Sequence, residues 1–87
     1  MSKHPREVEG FKGNMHDLAG EIGNMTYDQV ANLIYELCDD IKSQASADVK
    51  RGRMKLAEKL FSVSTSLDMA GREMSAAWKI CKPFMDG

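Results

Sequence analysis

An unbroken apolar register in the second half of the chain constrains the fold more than any other feature. Leu56, Leu60, Val63, Leu67, Ala70, Met74, Ala77, Cys81 and Phe84 follow one another in alternating steps of four and three. That 3.5-residue period keeps one stripe of a helix turned toward a partner helix. Ala57, Phe61, Trp78 and Met85 flank the stripe and widen it. The two prolines, Pro5 and Pro83, stand near the ends, so none interrupts a helix between them. Pro83 is expected to close the helix. A helix over 47–82 would run roughly 50 Å at 1.5 Å per residue.

A second helix is expected over 26–43. Thr26 is placed to cap it, Gln29 stands at the capping-box position, and Asp28 suits the first-turn dipole. Val30, Leu33, Ile34, Leu37, Cys38, Ile41 and Ala45 recur at amphipathic spacing, with Asn32, Glu36, Asp39, Asp40 and Ser43 opposite. The break is expected between 43 and 48, where Ser46 can cap the long helix and Asp48 lies in its first turn. Gly52 fits either an early helix interior or a longer turn. Residues 1–25 form an arm punctuated by Gly10, Gly13, Gly20 and Gly23. A short helix over 14–22 is expected within it, with Met15, Leu18, Ala19 and Ile22 on one side.

The expected fold is therefore all-α: a short N-terminal helical segment, then an antiparallel helical hairpin with a long C-terminal helix. Eighty-seven residues make it a single domain, 1–87. A chain this short buries only about 60–65% of its unfolded surface. The 26–43 helix is roughly half the length of the long one and cannot cover the whole stripe. The uncovered part, with Trp78 and Phe84 at one end, calls for the arm or another protomer, so an oligomer is expected.

Chemistry is sparse. His4 and His16 are the only imidazoles, at no metal spacing, and Cys38 and Cys81 form no CxxC pair. Both thiols fall in apolar stripes and read as small core hydrophobes. No nucleotide P-loop and no nucleophile elbow are present, and Ser62, Ser64 and Ser66 have no histidine within reach. A non-enzymatic protein without cofactor or metal is expected. No apolar run reaches the roughly 18–20 residues of a membrane span, and the first residues lack a signal-peptide core, so the expected location is the cytoplasm.

Twelve Lys and Arg against thirteen Asp and Glu leave a net charge of -1, but their placement is uneven. Residues 13–41 hold Asp17, Glu21, Asp28, Glu36, Asp39 and Asp40 and no Lys or Arg. Lys50, Arg51, Arg53, Lys55 and Lys59 crowd the start of the long helix. They read either as a solvated face complementing the acidic helix or as phosphate contacts, Lys50, Arg51 and Arg53 foremost. Duplex nucleic acid is a poor partner, because neighbouring acids repel its backbone and no reading helix is present. The arm offers a sharper group: Arg6-Glu7-Val8-Glu9-Gly10-Phe11-Lys12 sets an aromatic ring among cations, with Gly10 to let a ligand near the backbone. Such a ring stacks on a nucleobase for roughly 1–3 kcal/mol. The plainer alternative is that Phe11 and Val8 staple the arm to the core.

On these residues the chain resembles the phage anti-CBASS sponges of the second type, whose N-terminal signature reads approximately Arg-x-Ile-x-Gly-Tyr-Arg. Here the signature reads Arg6-Glu7-Val8-Glu9-Gly10-Phe11-Lys12, and Met74 and Pro83 keep the family's nine-residue separation near the end of the last helix. The family's helix-opening Asp corresponds to Asp48. The resemblance implies a helical hairpin assembling as a hexamer that sequesters cyclic dinucleotides such as cyclic GMP-AMP, with cyclic trinucleotides as a further ligand class, in the host cytoplasm. It implies that Phe11 stacks on a base, with Lys12, Arg6, Gly10 and Val8 around the ligand. The family's phosphate-binding Lys, some fifteen residues after the aromatic, has no counterpart, and the Arg-Trp after its helix-opening Asp is absent, with Lys50 and Arg51 in the nearest positions.

Two other readings stand beside this one. A helical interaction module would grip a host protein with the Trp78, Phe84 and Met85 end, where methionines suit adaptable contact. A nucleic-acid accessory would use the cations of 50–59.

Overall fold

The computed structural model describes residues 4–85, with Met85 described by its backbone alone. Three helices make up the described chain: α1 Met15–Gly23, α2 Tyr27–Lys50 and α3 Met54–Met85. No strand occurs among the described residues, and the class is all-α.

Each helix begins and ends for a local reason. Asn14 Oδ1 accepts from the Asp17 N–H at 2.9 Å, and Asp17 Oδ2 accepts from the Asn14 N–H at 3.2 Å. This reciprocal capping box starts α1 despite its glycines. The box expected at Thr26 and Gln29 does not form. Thr26 is the N-cap by its extended backbone, but its hydroxyl donates to Asp28 instead of accepting from the helix.

The expected break between 43 and 48 is overturned. Residues 43–48 are continuous helix, and the chain reverses at 51–53. Two backbone bonds stop α2 there: Gly52 N–H to Val49 O at 3.0 Å and Arg53 N–H to Asp48 O at 2.8 Å. With Gly52 at φ 77, this is the Schellman ending that a left-handed glycine permits. Ser46 and Asp48 are polar residues inside a helix, and Gly52 is a turn residue. Accordingly α2 runs seven residues past the expected end at 43, and α3 starts at Met54 instead of 47. Pro83 does not close α3, which runs on to Met85. Proline there removes one backbone bond in the last turn, where few others depend on it.

α2 and α3 lie against each other, and the line of closest contact is made of small residues. Ala31, Cys38 and Ala45 on α2 are 2%, 3% and 0% exposed; Ala57 and Ser64 on α3 are each 1% exposed. Gly71 continues the α3 line and is buried. Both lines step by seven residues. The Cys38 thiol donates to Ser64 O at 3.1 Å, and the antiparallel register this sets places Ala45 level with Ala57 and Ala31 level with Gly71. Small side chains on both sides let the two backbones come close, which explains how a side chain on one helix reaches a carbonyl on the other.

This moves the seam by one residue. The expected stripe does not face α2 squarely: Leu60, Leu67, Met74 and Cys81 are half-buried, while Leu56, Val63 and Phe84 are 46%, 45% and 82% exposed. The stripe forms one flank of the helix pair. On α2, Ile34 and Ile41 are half-buried and Leu37 is 46% exposed. Of the two long helices, α1 lies against α2. The whole is a plank with extents of 52 × 29 × 14 Å and a radius of gyration of 15.8 Å. A compact chain of this length would have a radius of about 12 Å. A single layer of helices has no opposite layer to bury its apolar surface against.

Candidate anion-binding site on the N-terminal arm

The arm is organised by a turn and by the start of α1. Phe11 N–H donates to Val8 O at 3.2 Å, and Gly10 at φ 86 occupies the left-handed position of that turn, the pattern of a type II turn. Gly10 therefore serves the turn. The Phe11 ring lies against Gly13: a Cβ at Gly13 would stand 2.8 Å from Phe11 Cε1 and 2.9 Å from Asp17 Oδ2. The ring is half-buried while Arg6, Val8 and Lys12 are exposed.

One hollow of about 540 Å³ is lined by Arg6, Glu7, Val8, Phe11, Lys12, Gly13, Asn14, Met15 and Leu18. Of the five arm residues singled out from the sequence, four line it; Gly10 does not. The volume lies in the range of small-molecule sites. Met15, Leu18 and Phe11 give it an apolar wall, and Arg6 and Lys12 give it cations. A second hollow, also about 540 Å³, shares Phe11, Lys12 and Gly13 and is walled by His16, Asp17, Gly20, Glu21 and Asn24. Phe11 thus borders both, one hollow bearing Arg6 and the other two carboxylates.

The cations of the turn sit elsewhere. Arg51 and Arg53 line a third hollow of about 600 Å³ with His4, Ser43, Gln44, Ala47, Asp48 and Leu56. The Asp48 carboxylate, its side chain 9% exposed, lies 3.8 Å from Arg51 Nη1 and 3.6 Å from Arg53 Nη1. Both arginine side chains remain more than half exposed, so the pairs orient them more than they stabilise the fold. Lys50 is exposed and does not line this hollow. The arm connects the two regions. His4 beside the turn and Arg6 in the first hollow are two residues apart, a span of at most about 7 Å. The arm therefore runs from the hollow lined by Arg6 to the one lined by Arg51 and Arg53.

The sequence did not single out Gly13, Asn14, Met15 or Leu18 for this site. The Asn14-to-Asp17 spacing was the available signal, since a capped helix start directly after an aromatic fixes where the ring rests. Among the described residues no cluster of His, Cys, Asp and Glu suits a metal, and no helix is long and apolar enough to cross a membrane. The Cys81 thiol donates to Trp78 O at 3.6 Å, and both cysteines are free. No family model matches the chain, and no curated protein or solved structure matches it significantly.

Proposed function

We propose that this protein is a non-enzymatic sponge that binds a cyclic dinucleotide, cyclic GMP-AMP being a representative, and withholds it from CBASS-type antiphage signalling. One observation carries the reading: Arg6, Val8, Phe11 and Lys12 of the family-like signature line a single hollow against the start of α1. In this reading the base stacks on the Phe11 ring and Arg6 and Lys12 take phosphate oxygens. The turn arginines, Arg51 and Arg53, are the candidates for a second phosphate, because His4 of the arm lines their hollow. The ligand is held by an assembly of protomers in the host cytoplasm, a hexamer by the family likeness. No step of this activity needs a catalytic group.

Calorimetry with a panel of cyclic dinucleotides tests it, followed by heat denaturation and recovery of the ligand. The expected outcome is saturable binding with intact ligand released, and a loss on Phe11→Ala of about 1–3 kcal/mol, or 5- to 150-fold in affinity. Cleaved ligand, or binding unchanged by Phe11→Ala, contradicts it. A second reading is favoured by Phe84 and Ile80, 82% and 72% exposed at the end of α3. They suit an interaction module that grips a host protein. Function that survives Phe11→Ala and is abolished by Trp78→Ala selects that reading.

A further inference from the structure

The balance of charge changes sign across the Phe11 ring. With histidine counted as neutral, the first hollow carries Arg6 and Lys12 against Glu7, and the second carries Lys12 against Asp17 and Glu21. A phosphate placed in the second hollow would face two carboxylates and one ammonium group, and is repelled. What the second hollow suits is a group that donates hydrogen bonds.

Its geometry suits the edge of a base. The point that a Gly13 Cβ would occupy lies 2.8 Å from Phe11 Cε1 and 2.9 Å from Asp17 Oδ2, so the ring edge and that carboxylate are neighbours. A purine is wider than a phenyl ring, and one stacked on Phe11 that points toward α1 overhangs this edge. Asp17 and Glu21 follow Gly13 at steps of four, and His16, Gly20 and Asn24 form the adjoining row of the same hollow. Nothing lies within 4 Å of a Cβ added at Gly20, so the floor between the two rows is bare. A glycine inside a helix weakens it, and no close contact requires this one. The two carboxylates are not equivalent. Asp17 is committed to the helix start, where Oδ2 accepts from the Asn14 N–H at 3.2 Å. Glu21, about 6 Å further along the axis, is exposed and enters no ion pair among the described residues.

We propose that Glu21 reads the base stacked on Phe11 and selects guanine. This inference rests on the nucleotide reading above and narrows it to cyclic dinucleotides that contain guanine. Guanine presents two adjacent donors, N1–H and N2–H, that match the two oxygens of one carboxylate. Its O6, beside them, is an acceptor, and the hollow supplies donors for it in Asn24 and Lys12. Adenine presents a single amino donor next to N1, an acceptor, so one carboxylate oxygen would face a lone pair. A bidentate contact to a base edge separates the right base from the wrong one by about 5- to 150-fold. Glu21 stays in contact with water, which places the expected preference in the lower part of that range.

Calorimetry of the full chain with cyclic di-GMP, cyclic GMP-AMP, cyclic di-AMP and cyclic di-IMP, whose hypoxanthine bases lack the N2 amine, tests this. The wild type is expected to bind the two guanine ligands about ten-fold more tightly than cyclic di-AMP, with cyclic di-IMP between. Glu21→Gln keeps the size of the side chain and leaves the Asn14–Asp17 cap untouched. It should bring the guanine ligands down to the level of cyclic di-AMP without changing the affinity for cyclic di-AMP itself. A merely structural Glu21 would instead weaken all four ligands alike, and that result overturns the proposal. Equal binding of all four by the wild type, or a guanine preference that survives Glu21→Gln, also overturns it; if Phe11→Ala still weakens every ligand, the nucleotide reading stands without it. No binding of any ligand overturns the nucleotide reading and this inference together.

Discussion

Two glycines define how tightly this chain is built. At Gly71 a Cβ would stand 2.6 Å from Tyr35 Cε1 and 2.9 Å from both Cδ1 and Cζ. The ring lies across the helix contact, so Gly71→Ala must displace it or part the helices, at a cost of about 1–3 kcal/mol. At Gly20, in α1, nothing lies within 4 Å of the added carbon. Gly20→Ala should therefore stabilise by about 0.5–1 kcal/mol through helix propensity. Urea unfolding of both variants checks the contrast. Equal effects would mean that the close line is not a constraint. Gly13 is a third case, because its missing Cβ gives the Phe11 ring its seat. Gly13→Ala should weaken ligand binding with little change in global stability, read by calorimetry beside the unfolding curve.

The sequence revealed the elements better than their joints. The apolar rhythm of 30–41 and 56–84 marks two helices without ambiguity, and both are present. It misplaced the turn because Ser46 and Asp48 resemble a cap, whereas the stop is made by Gly52 through its left-handed backbone. It also placed the contact line one residue away. Ala57, Ser64 and Gly71 contribute little hydrophobicity, so a reading weighted by Leu and Val passes over them, although their size allows the helices to meet. The arm residues Arg6, Val8, Phe11 and Lys12 were recognisable as a group, but the turn made at Gly10 was not, since a turn glycine and a ligand-side glycine look alike in sequence. The short helix behind that group depends on its cap. Asn14→Ala should cost about 1 kcal/mol locally, seen as faster amide exchange through α1 while α2 and α3 keep their protection. Uniform loss of protection would show instead that α1 folds as one unit with the longer helices.

At the scale of the whole molecule, seven residues with side chains are buried among the described residues, and the two helices expose leucines, valines and phenylalanines along a plank 14 Å thick. Such a layer gains most of its remaining stability from whatever covers it. Apparent stability should then rise with protein concentration, a dependence that a self-sufficient monomer lacks; thermal unfolding at ten-fold dilutions reads it. Closure by copies and capture of a ring-shaped anion by the arm meet in the account's central claim, an assembly that carries its ligand. Native mass spectrometry of the protein taken from cells making cyclic dinucleotides tests that claim most directly. The account predicts a whole-number multiple of the 9.7 kDa chain with intact cyclic dinucleotide attached, and loss of the adduct in Phe11→Ala. A lone chain without adduct would contradict it.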